Sequence, residues 1–167
     1  MPTRRRAGGG FEDFSAARPD KGSHPPRDQG TVGEATRRPA NLRKRVLVVE
    51  DHPLNMKLFR VLLHSRGYET VGARDGILGF ALARSEKPDL IIMDIQLPDI
   101  SGIEIIRVLK GDDRTRDIPI VAITASMPDE EAKIRAAGGD AFLRKPIAGA
   151  EFLTLVRSLL REDEPGC

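Results

Sequence analysis

Cysteine is all but absent from this sequence: Cys167, the final residue, is the only one. A single thiol cannot close an internal disulfide, and an inert exposed thiol is the expectation. Long apolar runs are missing too, since no segment approaches the roughly 20 residues that a bilayer-spanning helix needs. Arg4-Arg5-Arg6 lies near the start, but the apolar stretch of a secretory signal does not follow it. These absences predict a soluble, cytoplasmic protein without a membrane span. No internal repeat is present.

Residues 1–45 hold few large apolar side chains, only Phe11, Phe14, Val32 and Leu42, against five Pro and six Gly. So little apolar surface does not offset the entropy of ordering the chain, which predicts disorder. Charge divides at the same boundary. The first 45 residues carry 11 Lys/Arg against 5 acids, and the remainder 16 against 20, so a net +2 joins a basic tail (+6) to an acidic domain (−4). Cations of this kind can bind phosphates. Here, though, acids interrupt them and no aromatics interleave beyond the two Phe, so a solvated tail without specific DNA binding is expected. The predicted organisation is a basic tail over 1–44, a folded domain over 45–161 and a short tail over 162–167.

From residue 45 onward, short apolar runs alternate with helical periodicity. Strand 45–50 leads to a helix whose Leu54, Leu58, Val61 and Leu62 predict one buried stripe. Gly67 ends it, and Glu69–Ala73 reads as a second strand. A helix over 75–86 offers Leu78, Ala81 and Leu82, and Lys87-Pro88 stops it. Strand Leu90–Met93 is followed by a loop with Pro98 and Gly102, then a helix over 102–110. Pro119 opens strand 119–123. Helix 128–137 begins at Pro128 with Asp129, Glu130 and Glu131 in its first turn, where the helix dipole favours negative charge. Gly138-Gly139 ends that helix. Strand 140–143 precedes a last helix, 150–161, with Phe152, Leu155, Val156, Leu159 and Leu160 on one face. Five βα units with near-continuous apolar strands predict a doubly wound parallel sheet in the order 2-1-3-4-5, covered by helices on both faces.

Four strand ends carry chemistry: Glu50-Asp51, Asp94, Thr124 and Lys145-Pro146. The carboxyl ends of parallel strands share one edge, where ligands bind. Mg²⁺ prefers a few carboxylates with water and phosphate oxygens. Asp51 and Asp94 supply such carboxylates, and Glu50 is placed to hold a metal-bound water. Asp94 is also the candidate nucleophile, forming an acyl phosphate by attack on phosphorus. Lys145 and the Thr124 hydroxyl offer opposite charge and a donor to the transferred oxygens.

This set resembles the response-regulator receiver domain of two-component signalling over residues 45–161. The match includes the acid pair, Met93-Asp94, Pro98 and Gly102, Thr124-Ala125 and Lys145-Pro146. Val48–Asp51, Leu54–Phe59, Gly67–Thr70, Met93–Gly102, Lys110 with Asp112-Asp113, and Lys145–Ile147 are similar to single-domain members that act in cell division. The resemblance implies a flavodoxin-like receiver fold and phosphorylation of Asp94 by a histidine kinase or histidine phosphotransferase. It also implies Mg²⁺ held by Asp51, Asp94 and the Gln96 backbone carbonyl. Thr124, Ala125 and Lys145 would contact the phosphoryl group, Thr124 and Phe142 would switch together, and the peptide before Pro146 would be cis. Such a protein is no enzyme beyond its own phosphoryl transfer and slow autodephosphorylation. With only Glu162–Cys167 after the last helix, it is expected to act without an output domain, by binding downstream kinases or adaptors through helix 128–137, strand 140–143 and helix 150–161. Two features depart from the pattern: the stretch from Thr124 to Lys145 is one residue shorter than usual, and the long basic tail is extra.

Three other readings compete. A phosphatase of haloacid dehalogenase type also sets a nucleophilic Asp after a parallel strand, but it resembles Asp-x-Asp, and Gln96 stands where the second, proton-transferring Asp belongs. Flavodoxin-like cofactor binding needs a phosphate loop rich in Gly, Ser and Thr after the first strand, which is missing. A phosphate sink whose tail binds nucleic acid rests on the tail alone.

Overall fold

Parallel pairing of five short strands organises the chain, in a computed structural model that describes residues 43–125 and 128–161. In chain order the elements are β1 (Arg45–Val49), α1 (Pro53–His64), β2 (Glu69–Ala73), α2 (Gly76–Glu86), β3 (Leu90–Asp94), α3 (Gly102–Gly111), β4 (Ile120–Thr124), α4 (Pro128–Ala137), β5 (Ala141–Arg144) and α5 (Gly149–Leu159). The sheet order is β2-β1-β3-β4-β5, as the sequence predicts. Strand and helix limits shift by at most a residue or two. The tail through residue 42, the 162–167 segment with Cys167, and Ser126-Met127 of the shortened loop lie outside the described residues.

The pleat sends alternate side chains to opposite faces. Val46, Val48, Leu90, Ile92, Val121, Ile123 and Leu143 meet α1 and α5 in one core. Leu47, Val49, Ile91, Met93, Ile120 and Ala122 meet α2, α3 and α4 in the other. As expected, Ala141 and Leu143 of β5 belong to the first core while Phe142 joins the second.

Two helices turn differently from their predicted faces. In α1, Leu54, Leu58 and Val61 are 70%, 42% and 58% exposed, while Phe59 and Leu63 are buried, with Leu62 packed partly beside them. Apolar residues surround most of this helix, so periodicity alone did not select a face. The aromatic pair did: the Phe59 and Phe152 ring centroids lie 5.2 Å apart, and burying a large ring outweighs burying one more leucine. In α2, Leu78 and Ala81 are exposed and the contact face is Gly76, Gly79 and Ala83, with Leu82 partly buried. This helix lies so close to the sheet that a β-carbon on Gly79 would come within 2.8 Å of Val49. Small residues claim the inward face, and the leucine turns out.

α2 also starts under control of another loop. Asp75 caps it by accepting from the Leu78 N–H at 2.7 Å. Asp99, from the loop after β3, accepts from the Gly76 and Ile77 N–H groups at 2.9 Å each. Those backbone bonds, Gly76 foremost, hold the Asp99 carboxyl below its ordinary pKa. At the other end, Lys87 closes the helix in the left-handed region (φ 45°), just before Pro88.

Candidate functional site: an acidic cluster at the strand ends

β1 and β3 are adjacent and in register, Val49 opposite Met93, so the residues that follow each of them emerge side by side. Glu50 and Asp94 continue the alternation of their strands toward the α1/α5 face. So does Lys145, which follows β5. One ligand oxygen from each of Glu50, Asp51 and Asp94 can be chosen so that all three lie within 4.8 Å of one another. Glu50 and Asp94 are buried, 1% and 3% exposed, whereas Asp51 is open to solvent.

Each Asp94 oxygen is separately held. Oδ1 accepts from the Gln96 backbone N–H at 2.9 Å, and Oδ2 accepts from Lys145 Nζ at 2.8 Å. The ammonium also lies 3.8 Å from Glu50 Oε2. Glu50 Oε1 accepts from the His52 N–H at 3.0 Å, but Oε2 is buried without a hydrogen-bond partner among the described residues. Burial pushes the Glu50 carboxyl up; the His52 N–H and Lys145 pull it down, Asp94 pushes it up again, and the balance is about 7. For Lys145, burial acts downward, yet the hydrogen bond and charge of Asp94 outweigh it and raise its pKa.

Three carboxyl groups, two of them buried, face one ammonium, an excess of acidic oxygens over cations. The buried Glu50 Oε2 adds an acceptor that no hydrogen bond among the described residues satisfies. Both features fit a hard divalent cation with oxygen ligands.

Thr124 ends β4, one residue past Ile123, the partner of Asp94 in register. Its hydroxyl is buried and donates to Glu130 of α4. Ala125 follows at the surface. Phe142 is half-buried on the α4 side, with the Arg135 guanidinium carbon 5.6 Å from its ring centroid. Arg144 pairs with Glu131 of the same helix. The Lys145-Pro146 peptide is cis.

Sequence reasoning therefore names the residues that meet, namely Glu50, Asp51, Asp94 and Lys145, with Gln96 as a backbone neighbour. It does not anticipate Glu130, whose place in the first turn of α4 gives a sufficient reason for its charge without any partner. Lys110 is structural. Its Nζ contacts Asp140 Oδ2 at 2.8 Å and the Ile118 carbonyl at 2.8 Å, tying α3 to the start of β5.

Known proteins similar to this chain define its family. Residues 46–157 match the response regulator receiver domain, and the chain belongs to that family. Within it the chain is a DivK-like response regulator. It is 48% identical over 118 residues to the polar-differentiation response regulator DivK of Brucella anthropi, covering 70% of this chain and 96% of that one. DivK of Brucella ovis is 48% identical over the same span. Among solved structures, the receiver domain of the sensor histidine kinase PA1611 from Pseudomonas aeruginosa PAO1, with a magnesium ion coordinated in its active-site cleft, aligns with a TM-score of 0.68 at 29% identity. That alignment covers 72% of this chain and 100% of that one. No helix among the described residues is long and apolar enough to cross a membrane.

Proposed function

We propose that the chain is a cytoplasmic phosphoacceptor whose Asp94 takes a phosphoryl group from a histidine kinase or histidine phosphotransferase and thereby changes its affinity for partner proteins. The carrying observation is the grip on Asp94: a buried carboxylate with an ammonium 2.8 Å from one oxygen and a backbone N–H 2.9 Å from the other. An Asp94 oxygen attacks phosphorus, the P–N bond of the donor breaks, and the imidazole leaves with the electron pair. Lys145 and, once released by Glu130, the Thr124 hydroxyl meet the charge on the transferred oxygens. Asp51, Asp94 and the Gln96 carbonyl would hold Mg²⁺, with Glu50 reaching it through water. Bound there, the cation supplies electrostatic stabilisation of the phosphoryl oxygens.

The output surface in this reading is α4, β5 and α5. Supporting it, α4 already holds both residues of the switch pair, Thr124 through Glu130 and Phe142 through Arg135. Drawing Thr124 toward a phosphoryl group breaks the first contact and frees α4 to shift, a two-state bias of the kind that transmits phosphorylation. The likeness to DivK favours kinases that govern cell division or polarity as partners.

Acetyl phosphate with Mg²⁺ tests the assignment. The protein should gain one acid-stable, base-labile phosphate and Asp94→Asn none. Stoichiometric labelling of the variant would refute the site. A phosphotransfer profile across the organism's kinases then identifies the donor.

A further inference from the structure

A groove between α1 and β2 opens beside the acidic site, meeting it at Glu50 and Asp51, and its far end has no part in the function proposed above. It encloses about 260 Å³ and runs from Asp51 along Met56, Lys57, Arg60 and Val61 to Arg74. α1 approaches the edge strand closely enough for Met56 to cover Gly72, where a β-carbon would lie 3.2 Å from the thioether sulfur.

Three cations line this groove. Lys57 and Arg60 stand at i and i+3 on α1, on neighbouring turns of one face, and Arg74 follows β2. Neither Lys57 nor Arg74 has an ion-pair partner among the described residues. Arg60 uses only its Nε, which donates to the Thr70 hydroxyl at 3.3 Å, and its two terminal amino groups have no partner among those residues. Several other cations of the domain are paired with acids, Arg45 with Glu69 and Glu86, Arg84 with Asp112, Lys110 with Asp140. Three cations converge at the end of the concavity away from Glu50 and Asp51, an arrangement suited to an anionic group.

The chemistry narrows that ligand. Guanidinium groups form forked, charge-assisted hydrogen bonds that suit phosphate. Met56 and Val61 add an apolar wall, which a bare inorganic anion would leave unused. The volume lies just below the roughly 300 Å³ at which drug-sized sites begin. We propose that this groove binds a small organic phosphate, a phosphate ester no larger than a mononucleotide. Its phosphate sits on Lys57, Arg60 and Arg74, and its apolar body covers Met56 and Val61.

Backbone-amide NMR of the full ¹⁵N-labelled chain, titrated with adenosine monophosphate or inorganic phosphate at physiological salt, tests this. The nucleotide should give saturable shifts over residues 53–61 and 70–76, with affinity roughly tenfold or more above that of inorganic phosphate. The double variant Arg60→Glu, Arg74→Glu keeps the tail and changes only exposed side chains. It should lose roughly tenfold or more in nucleotide affinity. Asp94→Asn should bind as the parent does, so a failed groove and a failed phosphoacceptor assignment are seen separately. Linear shifts that never saturate, shifts centred on residues 1–42, equal affinity for the two probes, or an unaltered double variant would each overturn the proposal.

Discussion

Gly102 stands where any β-carbon would lie 2.1 Å from the carbonyl oxygen of Asp94 and 2.8 Å from the Cα of Ile95. The first residue of α3 thus touches the backbone of the proposed phosphoacceptor, and the Gly102 N–H donates to the Ile95 carbonyl at 2.9 Å. Both neighbours are main chain, which cannot rotate away as a side chain would. Gly102→Ala is expected to push the loop and Asp94 apart and to cost roughly 1–3 kcal/mol, as overpacking does. Denaturant unfolding measures the loss. Labelling by acetyl phosphate should fall with it, and an unchanged labelling rate would show that Asp94 tolerates the displacement.

Lys145 is the one cation in contact with the acidic cluster among the described residues. Lys145→Ala is expected to accept phosphate still, because the nucleophile and metal ligands remain, but to lose the change in partner affinity. Titrating a partner with and without beryllofluoride reads this directly. A normal affinity shift in the variant would remove Lys145 from signal transmission.

Glu50 predicts a pH dependence with a definite sign. Its folded-state pKa is raised from 4.5 to about 7, so the folded state binds the proton more tightly than the unfolded chain does. The associated stability is complete below about pH 4.5 and is lost as pH rises through about 7. Metal-free protein should lose on the order of 3 kcal/mol over that window, at about 1.4 kcal/mol per pKa unit. Lys145, with its raised pKa, stays charged throughout and contributes no slope there. Urea unfolding in EDTA at several pH values checks this, and Glu50→Gln should flatten the curve.

Magnesium should act in the opposite direction. A ligand that binds only the folded state at ten times its dissociation constant adds RT ln 11, roughly 1.4 kcal/mol. Asp51→Asn removes one like charge and one good ligand together. In EDTA the variant should be at least as stable as the parent, yet it should gain little from Mg²⁺. Equal stabilisation of both proteins would mean that Asp51 is not a ligand.

Much of this architecture was legible because each chemical residue follows an apolar run that only a buried strand explains. Val46–Val49 before Glu50 and Leu90–Met93 before Asp94 are the clearest cases, and the parallel order then brings their ends together. Helix orientation was harder to read. α1 offers apolar side chains in almost every direction, and only the tertiary contact of Phe59 with Phe152 chooses among them. α2 misleads in the other sense, because glycines contribute nothing to a hydrophobic stripe yet permit the closest approach. The bond from Thr124 to Glu130 joins a strand end to a helix across a loop whose path no periodicity encodes.

The pleat has an evolutionary consequence. Glu50, Asp94 and Lys145 emerge toward α1 and α5, whereas Thr124 and Phe142 sit on the side that α4 covers. In the proposed function, the phosphoacceptor and the Thr124–Phe142 pair therefore lie on separate faces of the sheet, with Lys145 joining them. A descendant can exchange Glu130, Glu131 or Arg135, and with them its audience, while the reacting groups keep every neighbour they have. The alternation of a five-residue strand is enough to let one chemistry serve many listeners.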